Sequence, residues 1–189
     1  MLVRARIDPK IVRRVDDVLT RSGCPKLPNG VGIDVRRILE QFSRLNVRFV
    51  RELNLGGRDL LAAYVPQFRC VFVEKNCFEP RQRFSMAHEL GHAELEDDFG
   101  DADSLFKVTE AFLCAEADAD VTPHGERSAG QRRRREIRAN QFAALLLMPE
   151  HLVKEVWRSD KDVRRSADVL GVSAESLRYR LTDLRLVAG

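Results

Sequence analysis

Apolar residues recur at helical spacing near both ends of the chain and cluster into short runs between them, which predicts helices, then strands, then helices. Pro9 to about Ser22 carries Ile11, Val12, Val15, Val18 and Leu19 on one face, and Pro25 to Gly32 break that pattern. Asp34 is placed to cap a second helix that uses Val35, Ile38, Leu39 and Phe42. Strand-like segments follow at Val47 to Leu53, Leu60 to Val65 and Cys70 to Glu74, punctuated by Gly56-Gly57 and Pro66. Glu79-Pro80 opens the next helix with proline at its first position, and Phe84, Ala87, Leu90 and Gly91 keep helical spacing. Gly91 costs that helix about 1 kcal/mol relative to alanine, so backbone or ligand is expected to approach closely there.

A further helix runs from Glu136 until Pro149 stops it, with Ala139, Phe142, Ala143, Leu146 and Leu147 as its buried stripe. At the C-terminus, Lys161 to Leu170 reads as a helix, Gly171-Val172-Ser173 as a turn with an N-cap serine, and Ala174 to Leu184 as a second helix burying Leu177, Leu181 and Leu184. The order predicts an α+β fold with a small mixed or antiparallel sheet. A division at about residue 155 separates residues 1–155 from a helix-turn-helix-like segment at 156–189.

Length and composition suit one well-buried core, since 189 residues with 44% hydrophobic and 32% charged is ordinary globular usage. There is no N-terminal run of signal-peptide type and no 18-residue apolar stretch, so neither secretion nor membrane insertion is expected and the cytoplasm is the expected compartment. Cys24, Cys70, Cys77 and Cys114 form no C-x-x-C pair, which argues against a cysteine metal site or a disulfide framework. The helix-turn-helix spacing resembles DNA-binding modules, and Ser176, Arg178, Tyr179 and Arg180 are expected to point outward toward a nucleic acid or a partner. Yet the basic excess over residues 158–189 is only two charges and the whole chain carries +3, so strong nonspecific DNA binding is not expected. Packing on the core is the favoured role of that segment.

The chemistry concentrates in His88-Glu89-Leu90-Gly91-His92. On a helix, positions i and i+4 share a face, so both imidazoles reach one Zn²⁺ while Glu89 leans over the remaining coordination position. Neutral imidazoles hold a metal, the metal acidifies a water, and a carboxylate takes its proton. A catalytic zinc site needs a third protein ligand, and Glu136 is the best placed, with Asn140 one turn later to orient a ligating histidine. Nitrogen and oxygen ligands also admit Mn²⁺ or Fe²⁺.

Arg83-Phe84-Ser85-Met86-Ala87-His88-Glu89-Leu90-Gly91-His92, followed by Glu136-x-x-Ala139-Asn140-x-Phe142-Ala143-Ala144-x-Leu146-Leu147-Met148-Pro149, resembles the ImmA/IrrE family of bacterial and phage metallopeptidases. The resemblance implies a zincin-like core, His88, His92 and Glu136 as metal ligands, and Glu89 as catalytic base. It implies hydrolysis of a peptide bond in a partner protein, typically a helix-turn-helix repressor whose cleavage relieves repression in mobile-element or stress-response circuits. The competing function is a DNA-binding regulator, or a toxin–antitoxin-type partner-binding regulator, with a non-catalytic metal site.

Two departures from the family pattern stand out. Arg138 occupies a position where many relatives carry an acid, and the stretch between His92 and Glu136 is longer than expected. Residues 100–135 are a candidate lid, with Leu105, Val108 and Phe112 able to dock a short helix and Ala115 to Gln131 of disorder-prone composition. The acids from Glu94 to Asp103 read as a solvated loop that opposes the metal helix dipole. One of the strands between residues 60 and 74 is the expected edge for pairing a substrate strand. His124 and His151 read as surface residues, and Tyr64 and nearby arginines are candidates for stabilising an oxyanion.

Overall fold

The computed structural model describes residues 7–55, 58–95 and 126–187. Helix α1 (Pro9–Arg21) starts where Asp8 accepts a hydrogen bond from Lys10 N, and it buries Ile11, Val15, Val18 and Leu19. Val12 sits at the edge of that face and is exposed. Asp34 caps α2 (Val35–Arg37) by accepting from Arg37 N, as its position predicts. The chain then continues as a π turn, Ile38–Phe42, instead of a regular helix. The wider turn buries Ile38 and Leu39 and leaves Phe42 45% exposed, so the expected burial of Phe42 is corrected.

Strands β1 (Asn46–Val50), β4 (Ala62–Val65) and β5 (Cys70–Glu74) form one sheet in the order β1-β5-β4. β1 runs parallel to β5 and β4 antiparallel to it, so the sheet is mixed. A two-residue pairing of β2 (Asn54–Leu55) with β3 (Arg58–Asp59) stands apart as a hairpin. β5 is therefore central in the three-stranded sheet, and β1 and β4 are the edges of that sheet.

α3 (Glu79–Leu95) crosses the middle of the molecule and is buried nearly all round, including Arg83, His88 and Glu89. α4 (Glu126–Leu147) packs antiparallel to it and buries Ala139, Phe142, Ala143, Leu146 and Leu147, the stripe that periodicity predicts. This helix begins ten residues before Glu136, which corrects the expectation that Glu136 opens it; Arg132 to Arg135 lie within the helix. The part of the candidate lid from 126 to 135 is thus helical, and Leu105, Val108, Phe112, Cys114 and His124 lie outside the described residues.

α5 (Glu150–Asp160), α6 (Val163–Leu170) and α7 (Ala174–Asp183) follow, with Asp162 and Ser173 capping the last two. Ala167, Leu170, Val172, Leu177 and Leu181 belong to the same buried cluster as Phe142, Leu146 and Ile33. The C-terminal pair is therefore packed on the core. No helix among the described residues is long and apolar enough to cross a membrane.

Candidate metal centre

Three donor side chains converge between α3 and α4. His88 Nε2 lies 3.0 Å from His92 Nε2 and 3.3 Å from Glu136 Oε2, and His92 Nε2 lies 3.5 Å from Glu136 Oε1. An ion held tetrahedrally at about 2.0–2.1 Å sets neighbouring ligand atoms about 3.3–3.4 Å apart, and the 3.0–3.5 Å separations of these side chains are on that scale. Two imidazoles and one carboxylate are also a donor set that suits Zn²⁺ chemically.

The geometry follows from the two helices. The i, i+4 spacing puts both rings on one face of α3, with their centroids 4.7 Å apart and edge to face. Gly91 lets α4 come close, for a Cβ there would lie 3.2 Å from Ala139 Cα, Ala139 O and Phe142 Cβ. The close approach expected at this glycine is thus made by the backbone of the helix that carries Glu136.

His88 is almost wholly buried, and its Nδ1–H donates to Asn140 Oδ1 at 2.7 Å. That bond places the proton on Nδ1 and turns the Nε2 lone pair toward the other two donors. Burial favours a neutral His88 ring, but the hydrogen bond to Glu136, the charges of Glu89 and Glu136, and the bond to Asn140 outweigh it and raise the pKa. Burial likewise opposes charge on Glu136, and the hydrogen bonds and positive charge of His88 and His92 overcome it, holding the carboxyl at about 2.

Glu89 is fully buried, and its Oε2 accepts the backbone N–H of Tyr64 at 2.9 Å. Tyr64 sits on β4, whose pairing with β5 directs this N–H away from the neighbouring strand and toward α3. The sheet edge and the carboxylate are therefore physically joined. This contact has no counterpart in sequence, because a backbone N–H carries no residue signature.

The other expected site residues divide. Arg178 and Tyr179 are exposed on α7, but Arg180 is buried and its Nε donates to Met148 O at 3.1 Å. Its outward orientation is corrected: α7 turns that arginine into the core, where it satisfies a carbonyl beyond the end of α4. His151 is exposed, as expected. Glu94 is not solvated as its loop reading predicts; Arg14 Nε donates to its carbonyl at 2.8 Å and pairs with its carboxylate at 3.4 Å. Cys24, Cys70 and Cys77 are free thiols.

The family model described as the IrrE N-terminal-like domain, a peptidase family, matches residues 43–182. The chain belongs to this family. It is 30% identical over 156 residues to the radiation response metalloprotease IrrE of Deinococcus radiodurans, a match that covers 80% of the chain and 41% of that relative. The chain thus spans less than half the length of that curated relative. A Mycobacterium tuberculosis transcriptional regulator shares the fold at a TM-score of 0.62 with 17% identity, over 92% of this chain and 46% of that one.

Proposed function

We propose that this chain is a zinc-dependent endopeptidase that hydrolyses a peptide bond in a partner protein. The observation that carries the reading is the convergence of His88, His92 and Glu136 beside the buried Glu89 carboxylate. His88, His92 and Glu136 would hold a divalent ion, which would supply Lewis acidity to a water and to the scissile carbonyl. Glu89 then takes the water proton and passes it to the leaving amine. Tyr64 N–H fixes the Glu89 carboxylate for this work, and Asn140 keeps the His88 proton on Nδ1. β4, which carries Tyr64, is the edge proposed to pair with an extended substrate segment, since backbone pairing there holds a carbonyl close to Glu89.

The family match and a relative named as a metalloprotease support the peptidase reading. The proposed substrate is a helix-turn-helix repressor in the cytoplasm, cleaved to relieve repression in a stress response. A relative named for radiation response and a fold neighbour titled as a transcriptional regulator support that setting.

The test is metal content and cleavage together. Wild-type chain is expected to bind one Zn²⁺, His88→Ala and Glu136→Ala to lose most of it while folded, and Glu89→Gln to keep metal but lose cleavage of a helix-turn-helix repressor offered as substrate. Zinc binding with no cleavage by the wild type turns the reading to the partner-binding regulator. Absence of metal after addition of Zn²⁺, Mn²⁺ or Fe²⁺ removes the peptidase reading altogether.

A further inference from the structure

We infer that Arg83 is a positioning residue of the metal centre, fixing the rotation of α3 by tying that helix to the turn between α6 and α7; the inference rests on the metal-centre reading above. Arg83 precedes His88 by five residues, about 7.5 Å along the helix axis, and only 5% of it is exposed. Its Nε donates to Gly171 O at 2.8 Å and its Nη2 donates to Ile33 O at 2.6 Å. Burial pulls the guanidinium pKa down, and the charges of Glu79 and Asp34 act against that pull.

Two glycines make the junction. Gly171 ends α6 in the left-handed region at φ +66°, and a Cβ there would lie 2.9 Å from Arg83 Nε. At Gly32 a Cβ would lie 2.7 Å from Leu170 O. Asn29 Nδ2 adds a bond to Val169 O at 2.7 Å. The loop before α2, the end of α6 and the metal-bearing helix therefore meet around one guanidinium.

A planar fork held by two fixed carbonyls resists turning in a way that a single contact does not. His88 and His92 ride on α3 while Glu136 belongs to α4, so rotation of α3 moves two ligands against the third. Ligand sets work only when held within about 0.5 Å and 10–20° of their geometry. Gly91 sets the spacing of the two helices, and Arg83 sets the angle.

Arg83→Lys keeps the charge and the aliphatic stem but replaces the two fixed donors of the fork with one freely rotating ammonium nitrogen. The expected result is a folded protein whose Zn²⁺ affinity by chelator competition falls about ten-fold or more, with a changed d–d absorption when Co²⁺ replaces Zn²⁺. Gly171→Ala crowds the same guanidinium at Nε and is expected to shift both readouts in the same direction. A merely structural role would lower the melting temperature and leave the affinity and the cobalt spectrum of the folded protein unchanged; that result in Arg83→Lys overturns the inference. If Arg83→Lys does not fold, Gly171→Ala decides by the same two readouts. Absence of stoichiometric metal binding by the wild type overturns the metal-centre reading itself and takes this inference with it.

Discussion

Gly91 and Ala139 bring the helix that carries His88 and His92 into backbone contact with the helix that carries Glu136: a Cβ on Gly91 would stand 3.2 Å from both Cα and the carbonyl oxygen of Ala139. Gly91→Ala sets two effects against each other. Alanine favours the helix by about 1 kcal/mol, whereas overpacking of this kind costs about 1–3 kcal/mol because a backbone cannot swing aside like a side-chain tip. The second effect wins, and the shift falls on the gap between His88, His92 and Glu136. The expected outcome is a net loss of about 1 kcal/mol by denaturant unfolding together with weaker Zn²⁺ binding. A more stable variant with wild-type affinity contradicts this account.

Asn140→Ala removes the acceptor for His88 Nδ1–H, a 2.7 Å bond on a ring that is almost wholly buried. Ligand-orienting partners of this kind are worth about 10–100-fold in metal affinity. Zn²⁺ dissociation measured against a competing chelator is expected to tighten again in Asn140→Asp, which restores an acceptor. Equal affinity in Asn140→Ala and wild type would show that packing alone orients His88.

The contrast between these residues and Arg180 shows what a linear pattern conveys. His88, Glu89, His92, Glu136 and Asn140 are legible because helical spacing alone puts them on defined faces, and the stripe from Ala139 to Leu147 fixes which face of α4 turns inward. The helix start was less legible, since the basic run before Glu136 has no apolar periodicity and α4 nevertheless extends to Glu126. Arg180 and Arg83 are cations that fold inward to bond backbone carbonyls. Their charge argues for the surface, and only tertiary contacts reveal otherwise. The Tyr64 to Glu89 contact depends on strand register, which no side-chain pattern encodes.

The depressed pKa of Glu136 and the raised pKa of His88 give the metal-free protein a stability window. Glu136 falls from an ordinary 4.5 to about 2, so its contribution is present above 4.5 and is lost as pH drops toward 2. His88 rises above its ordinary 6.5, so its contribution is present below 6.5 and is lost as pH climbs through the folded value. Chelator-treated protein is expected to resist denaturant best between these limits, at about pH 5.5 by the linkage relation. Zinc binding needs a neutral His88 ring, so affinity is expected to rise with pH over the range in which the metal-free protein weakens. Metal-free protein that gains stability from pH 5.5 to pH 8 would refute the assignment.

The burial of Arg180 also bears on nucleic acid. Over residues 158–189 the sequence holds seven cations and five anions, and with Arg180 turned into the core six exposed cations face five exposed anions. On α7 itself, the exposed Tyr179 donates its hydroxyl to Glu175 at 3.5 Å, which places an acid on the face that would meet a groove. Each phosphate neutralised by a protein contributes about −0.9 to the slope of log K against log salt. Fluorescence anisotropy with a labelled duplex is therefore expected to show weak binding at low salt with a slope no steeper than about −1. A slope equivalent to several phosphates would instead mean that Arg158, Lys161, Arg164, Arg165 and Arg178 act together as a backbone-binding face. In that case the α6–α7 pair would serve as a DNA reader as well as a support for α3.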